Sequence, residues 1–167
     1  MTARFMVRPA RADELRAVGE LTENAYAVEG YLDNDHGYGE TLRDAEARAA
    51  VGTVLVAVDE AESLLGAVAV FTPDAGPDYA EQGEPGDAVV RMLVTAPSAR
   101  GSGVGTALAQ ASVELARELG CQRVRLSTQP AMTTAHHIYE RIGFRRAPEN
   151  DWEPGPGIEL LGYELVL

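Results

Sequence analysis

The stretch Arg100-Gly101-Ser102-Gly103-Val104-Gly105-Thr106 stands between an apolar run, Ala88 to Thr95, and a segment with Leu108, Ala111, Leu115 and Leu119 at helical spacing. Strand, glycine-rich turn and amphipathic helix in that order predict an α/β arrangement. Glycine has no Cβ, so the main chain of such a turn can approach a ligand closely. The first N–H groups of a helix find no acceptor within their own helix, and the helix dipole favours negative charge beside them. The turn therefore reads as a phosphate cradle to which Arg100 adds a charge-assisted contact. Two further readings stay open on these residues alone. One is a dinucleotide-binding Gly-x-Gly-x-x-Gly site, against which Thr106 stands in place of the third glycine and Ala96 to Ala99 separate the turn from its strand. The other is a connection without a ligand.

Working outward, Phe5 to Pro9 predicts a first strand, and Asp13 a helix N-cap. Leu15, Val18, Leu21, Ala25 and Tyr26 follow at helical spacing, and this helix should fade near Gly30. Gly30 to Gly39 is rich in Gly, Asx and Tyr and reads as a surface loop. Leu42, Ala45, Ala49 and Ala50 suggest one weaker helix. Thr53 to Val58 and Leu64 to Phe71 read as an antiparallel strand pair, and Pro73 to Gly86 as a loop within one domain. Arg123 to Ser127 is a further strand and Thr133 to Ile142 a further helix, closed by Gly143. Phe144 and Ile158 to Leu167 supply late strands, and Cys121 reads as a small buried residue opening a strand. A strand hairpin followed by a crossover unit implies a mixed sheet with helices on its faces, in a single domain spanning residues 1–167.

Composition narrows the function classes. The 167 residues are 46% hydrophobic, enough for a core without disulfides, and the single cysteine excludes a disulfide framework and a cysteine-rich zinc site. All 14 basic residues are arginine. Without lysine there is neither a P-loop nor Schiff-base catalysis. The formal net charge of −12 works against nucleic acid and anionic membranes as partners. No apolar run has the roughly 18 residues of a membrane span. No leader pattern is visible at the start, so the expectation is a cytoplasmic protein. The arginine-only, Ala- and Gly-rich composition suggests a bacterial source.

Two motifs carry a family resemblance. Arg100-x-x-Gly103-x-Gly105 resembles the acyl-CoA pyrophosphate motif of the GCN5-related N-acetyltransferase (GNAT) family, and Arg91 to Pro97 looks like that family's central strand and its exit. Downstream, Ala135-His136-His137-Ile138-Tyr139-Glu140-Arg141-Ile142-Gly143-Phe144 is similar to its second signature. The element order fits over essentially the whole chain. The resemblance implies a mixed, mostly antiparallel twisted sheet with a central splayed strand pair. It implies acetyl-CoA as co-substrate and no metal. The main chain of Leu93, Val94 and Thr95 would pair with the pantetheine arm and polarise the thioester carbonyl. Arg100, Gly101, Ser102, Gly103, Val104, Gly105 and Thr106 would hold the pyrophosphate. Tyr139 would protonate the departing thiolate, and an amine would attack directly, without an acyl-enzyme.

The chain departs from the family pattern at Met132, where many relatives carry asparagine, and at Val89 and Ser127, where relatives carry a glutamate base. By strand alternation Asp87 shares a face with Val89 and Arg91, which makes it the nearest candidate base. Glu81, Glu84, Asp33, Asp35 and bulk water are alternatives. Tyr31, His36 and Tyr38 are the expected acceptor contacts, in a loop that with Pro73 to Asp87 would frame the acceptor pocket. His136 shares part of the Tyr139 helix face, whereas His137 points elsewhere; two adjacent histidines cannot form a metal pair on one face. Net negative charge favours a cationic acceptor. The expected activity is acetyl transfer to an amine of a small molecule or peptide. The competing class is a non-catalytic acyl-CoA-binding or regulatory domain. A homodimer stays open.

Overall fold

The computed structural model describes residues 4–32 and 37–167. They form a mixed α/β fold with eight strands, mostly antiparallel, flanked by helices. The chain groups into two compact units, residues 1–69 with 92–108 and residues 70–91 with 109–167. The boundaries fall inside β3 (Leu64–Phe71), β4 (Asp87–Thr95) and α4 (Val104–Glu118).

In the first unit, β1 (Phe5–Pro9) pairs antiparallel with β2 (Thr53–Asp59), Phe5 opposite Asp59 and Pro9 opposite Leu55. Val54 to Val58 are all buried, as β-branched and small residues on a strand covered on both faces should be. Between them run α1 (Leu15–Val28), α2 (Tyr38–Arg43) and α3 (Ala45–Val51). The single weak helix expected around Leu42 to Ala50 is two. The break falls at Asp44, whose carboxylate accepts the Ala47 N–H at 3.0 Å and so caps α3. The buried Arg48 then donates to the carbonyls of Thr41 and Leu42 at 2.8 and 2.9 Å, satisfying the end of α2.

Asp13 does not cap α1. It lies within a 3-10 turn, Ala12–Glu14, and α1 begins after it. Glu14 reaches back instead, accepting the Arg11 N–H at 2.8 Å and both Arg8 terminal nitrogens at 2.7 and 2.9 Å. Its longer side chain spans to β1, which aspartate cannot do.

In the second unit, β4 pairs parallel with β5 (Arg123–Thr128) from Asp87 opposite Arg123 to Val90 opposite Leu126. β5 pairs antiparallel with β8 (Ile158–Val166), which also pairs with β6 (Arg145–Arg146) and β7 (Trp152–Gly155). Phe144 is not in a strand. With Gly143 at φ +118°, it closes α5 (Thr133–Ile142): its N–H donates to the Tyr139 carbonyl at 3.0 Å, and its ring lies 5.7 Å from that of Tyr139. This is a Schellman-type ending with its hydrophobic contact. Cys121 lies between α4 and β5, only half buried, and burial pushes its thiol up.

The Glu14 cluster yields a pH prediction. Hydrogen bonds from Arg8, above all, hold the Glu14 carboxyl at about 2, below its ordinary 4.5. A depressed carboxylate stabilises the fold above its unfolded value, and that contribution is lost as pH falls through the folded one. Glu14→Gln is expected to lose roughly 1.5–3 kcal/mol near neutral pH. The gap to wild type should close between about pH 4.5 and 2, as measured by denaturant titration at a series of pH values.

Candidate functional site

In the first unit the chain leaves β4 through a 3-10 turn, Pro97–Ala99, and enters α4 through the glycine turn. Gly101 and Gly103 sit at φ +77° and +88°, a region that residues with a Cβ rarely occupy. Among the described residues, a Cβ built on either would meet no atom within 4 Å, so open space lies beside both glycines. The first helical bond is Ala107 N–H to the Gly103 carbonyl at 3.0 Å. The N–H groups of Val104, Gly105 and Thr106 precede it and belong to no ladder of the helix. The Val104 and Leu108 side chains are buried, which fixes the first turn of α4. Gly66 of β3 makes room for them: a Cβ there would stand 2.7 Å from the Val94 carbonyl oxygen and 2.9 Å from both Val104 and Leu108. Ser102 donates its hydroxyl to the Ala99 carbonyl, a bond within the turn. The Ser102 side chain is thus turned back into the loop, while the amides at the start of α4 have no acceptor in the helix.

Just before this turn Met92 takes φ +56°, although it is buried and not glycine. Such a conformation costs on the order of 1 kcal/mol or more and is kept only where packing imposes it. After it Leu93 and Thr95 are half-buried, while Val94 is buried. The Ala96 N–H donates to the Leu65 carbonyl at 2.8 Å, anchoring the strand exit to β3.

Arg100 forms an ion pair with Glu29, the residue that follows α1. Tyr31 stands close by, its hydroxyl pushed up by burial and then by the Glu29 charge, with Arg100 opposing. The Tyr31 and Tyr38 rings both meet Tyr26 edge-on, at 6.0 and 6.2 Å. Tyr38 is the first residue of α2 rather than part of a loop. His36, Asp33 and Asp35 lie outside the described residues.

In the second unit Tyr139 is 6% exposed, on α5, and its ring also packs 6.1 Å from Tyr163. Burial alone pushes its phenol well above the ordinary value, so the hydroxyl keeps its proton across the physiological range. His136 lies on the same helix, its Nε2 3.0 Å from the Gln129 carbonyl, so Nε2 carries the hydrogen of that bond. His137 is exposed. At the position where relatives carry asparagine, Met132 sulfur accepts from the Thr128 hydroxyl at 3.5 Å.

Asp87 has a different setting from that expected of a base. It is 2% exposed; Arg123 Nε donates to Oδ1 at 2.9 Å, and the Glu84 N–H donates to Oδ2 at 2.9 Å. Arg123 Nη2 and Arg125 Nε each stand 3.2 Å from Oδ2. The Arg125 Nε contact is an ion pair misaligned for a hydrogen bond, since that nitrogen is buried without a hydrogen-bonded acceptor. The carboxylate is thus hydrogen-bonded by Arg123 and the Glu84 amide and stands in an ion pair with Arg125. Val89, Arg125, Ser127 and Asn150 instead line a shallow open cleft with Gln82 and Tyr163. Trp152 Nε1 donates to the Ser127 hydroxyl oxygen at 3.1 Å beside it.

Sequence reasoning missed Glu29, Tyr26 and Trp152. A signal existed for Glu29: an acidic residue at a helix C-terminus opposes the dipole and asks for a compensating partner. Nothing local marks Trp152, because its contact to Ser127 joins β7 to β5 across 25 positions of chain. Among the described residues no group of three or more His, Cys, Asp or Glu is placed to hold a metal, and no helix is long and apolar enough to cross a membrane.

Residues 16–144 match the model of the acetyltransferase (GNAT) family. The chain is 38% identical over 91 residues to a mycothiol acetyltransferase of Propionibacterium freudenreichii, covering 54% of this chain and 27% of that protein. It is 28% identical over 114 residues to an uncharacterized N-acetyltransferase of Schizosaccharomyces pombe, covering 68% of this chain and 64% of that one. The chain thus spans less than two thirds of either relative. Among solved structures, a GNAT-family acetyltransferase from Staphylococcus aureus superposes with a TM-score of 0.75 at 14% identity, covering 98% of this chain and 99% of that one. An acetyltransferase from Salmonella typhimurium, solved with its cofactor acetyl-CoA, superposes with a TM-score of 0.67 at 18% identity over 99% of this chain and 95% of that one. These likenesses show the fold.

The environment of Asp87 predicts that Asp87→Asn leaves Arg123 and Arg125 short of a counter-charge. Thermal and denaturant unfolding should show a loss of about 3 kcal/mol. If Asp87 is structural, activity per folded molecule should stay within about twofold of wild type; a loss of several orders of magnitude in well-folded protein would restore it as a base.

Proposed function

The chain belongs to the GNAT acetyltransferase family, and on that premise we propose that it moves the acetyl group of acetyl-CoA to an amine by direct attack. The observation that carries this reading is the glycine turn, with backbone amides unused by α4 and, among the described residues, open space beside Gly101 and Gly103. A pyrophosphate fits such a cradle because its oxygens accept from several N–H groups at once and its charge is favoured at a helix N-terminus. Acetyl-CoA supplies an acyl group already activated as a thioester.

The residues divide the work as follows. Arg100 and the amides of Gly101 to Thr106 hold the pyrophosphate. Leu93, Val94 and Thr95 present main-chain groups to the pantetheine arm, and one of their N–H groups polarises the thioester carbonyl. Tyr139 gives its proton to the departing thiolate; burial keeps that proton in place until it is needed. Asp87, committed to Arg123 and Arg125, is not assigned the base role, and water takes the proton of the attacking amine. Tyr31, Tyr38 and His36 contact the acceptor, for which net −12 favours a cation. The whole chain acts as one transferase domain. A bacterial cytoplasm is proposed as its setting, from the arginine-only basic residues and the single cysteine.

Turnover of acetyl-CoA over a panel of amines, with released thiol as the readout, tests the activity. CoA binding without turnover on any amine would favour the binding-domain reading, for which Val89 at the place of a glutamate base speaks. Gly103→Val is expected to weaken CoA binding tenfold or more, about 1.4 kcal/mol, by calorimetry on folded protein. Tyr139→Phe keeps the ring packed against Phe144 and Tyr163 and removes only the hydroxyl. A thiolate needs little help at neutral pH, so kcat should fall about 10- to 100-fold, with CoA affinity and Tm nearly unchanged. Full activity would strike Tyr139 from the mechanism.

A further inference from the structure

Glu29 stands where a carboxylate is least at home. It directly follows α1, where the carbonyl ends of the helix carry partial negative charge. What holds it there is the ion pair with Arg100, the one arginine of the glycine turn. The main chain that carries Arg100 is anchored: Ala99 beside it is buried, and the Ala96 N–H is bonded to the Leu65 carbonyl. The side chains are not, for Arg100 and Glu29 are 45% and 36% exposed. Tyr31 flanks both. The backbone of the turn is therefore fixed while its only side-chain cation is held by an internal anion.

We propose that Glu29 is the internal rival of the CoA phosphate for Arg100, and that it lowers the affinity of the site for the co-substrate. This rests on the reading that Arg100 to Thr106 hold the pyrophosphate. A phosphate arriving at the α4 N-terminus brings more than one negative charge beside a carboxylate already paired with the same guanidinium. Arg100 can turn to the phosphate, but the Glu29 charge then loses its partner while still lying at the end of α1. Binding therefore replaces one ion pair by another rather than adding one, and part of the phosphate attraction is cancelled. A carboxamide at position 29 keeps the size and removes the competition.

The test is CoA binding by calorimetry to wild type, Glu29→Gln, Arg100→Ala and the double variant, with Glu20→Gln as a control. Glu20 lies on the same helix, exposed and paired with Arg16, so its substitution makes the same change in net charge away from the turn. Glu29→Gln is expected to bind CoA roughly 3- to 10-fold more tightly, an effect of the size of one charge-assisted contact. Glu20→Gln should stay within twofold of wild type. In the Arg100→Ala background the Glu29→Gln gain should largely disappear, because the rivalry needs its object. Unchanged or weaker binding by Glu29→Gln overturns the proposal and makes Glu29 an orienting partner of Arg100 instead. A gain that persists undiminished without Arg100, or that Glu20→Gln reproduces, also overturns it, in favour of general charge repulsion. Absence of CoA binding by the wild type would overturn the reading of the turn itself, and the rivalry with it.

Discussion

The first turn of α4 cannot satisfy its own amides, and the candidate site grows from that constraint. A helix start buried without partners is costly, whereas one left open to a ligand becomes a binding device. Here Val104 and Leu108 tie the helix to the core from below, with Gly66 leaving space for them. Gly101 and Gly103 bend the chain at positive φ, with open space beside each of them among the described residues. The packing is specific on one side and open on the other. That asymmetry explains why the same short segment needs both large buried aliphatics and glycines.

The charges follow a second economy. An acidic chain whose cations are all arginine pairs them with carboxylates in several places: Arg8 with Glu14, Arg123 and Arg125 with Asp87, Arg146 with Asp151. Planar guanidiniums suit this because one of them can serve two acceptors at once. The pair at Glu14 joins the 3-10 turn to β1, and the pairs at Asp87 join neighbouring strands 36 or more positions apart in the chain, so both act as fasteners. The Arg100–Glu29 pair differs in kind, because its cation lies in the glycine turn, beside helix amides that have no acceptor in α4. An ion pair is structural or exchangeable according to what else its members face.

Much of the fold could be read along the chain. The strands from Phe5, Thr53 and Leu64 and the helices ending near Glu118 and Ile142 stand close to where hydrophobic period and glycine stops put them. Those signals are local: side-chain period follows backbone period, and glycine at positive φ ends a helix wherever it occurs. The motifs around Gly103 and Tyr139 were legible for the same reason, since each lies within one turn or one helix. The reading failed where a competing contact came from elsewhere. Asp13 is a good cap by residue type, but Glu14 won through Arg8 on β1. Phe144 looks like a strand residue, yet its ring closes α5.

What the sequence by itself determined, then, is the order of elements, the family they resemble and the glycine turn that opens α4, because each is written in neighbours along the chain. Only the tertiary structure decided which partners the carboxylates meet. Strand alternation put Asp87 on a plausible face, but alternation says nothing about the residues opposite. The parallel register of β4 and β5 sets Asp87 across from Arg123, with Arg125 also in reach, and so pairs the expected base with two guanidiniums. Likewise the partner of Arg100 lies 71 positions away, at the end of α1. Charge pairing acts through space at a few ångströms, and no pattern of spacing along the chain encodes which distant carboxylate will arrive there.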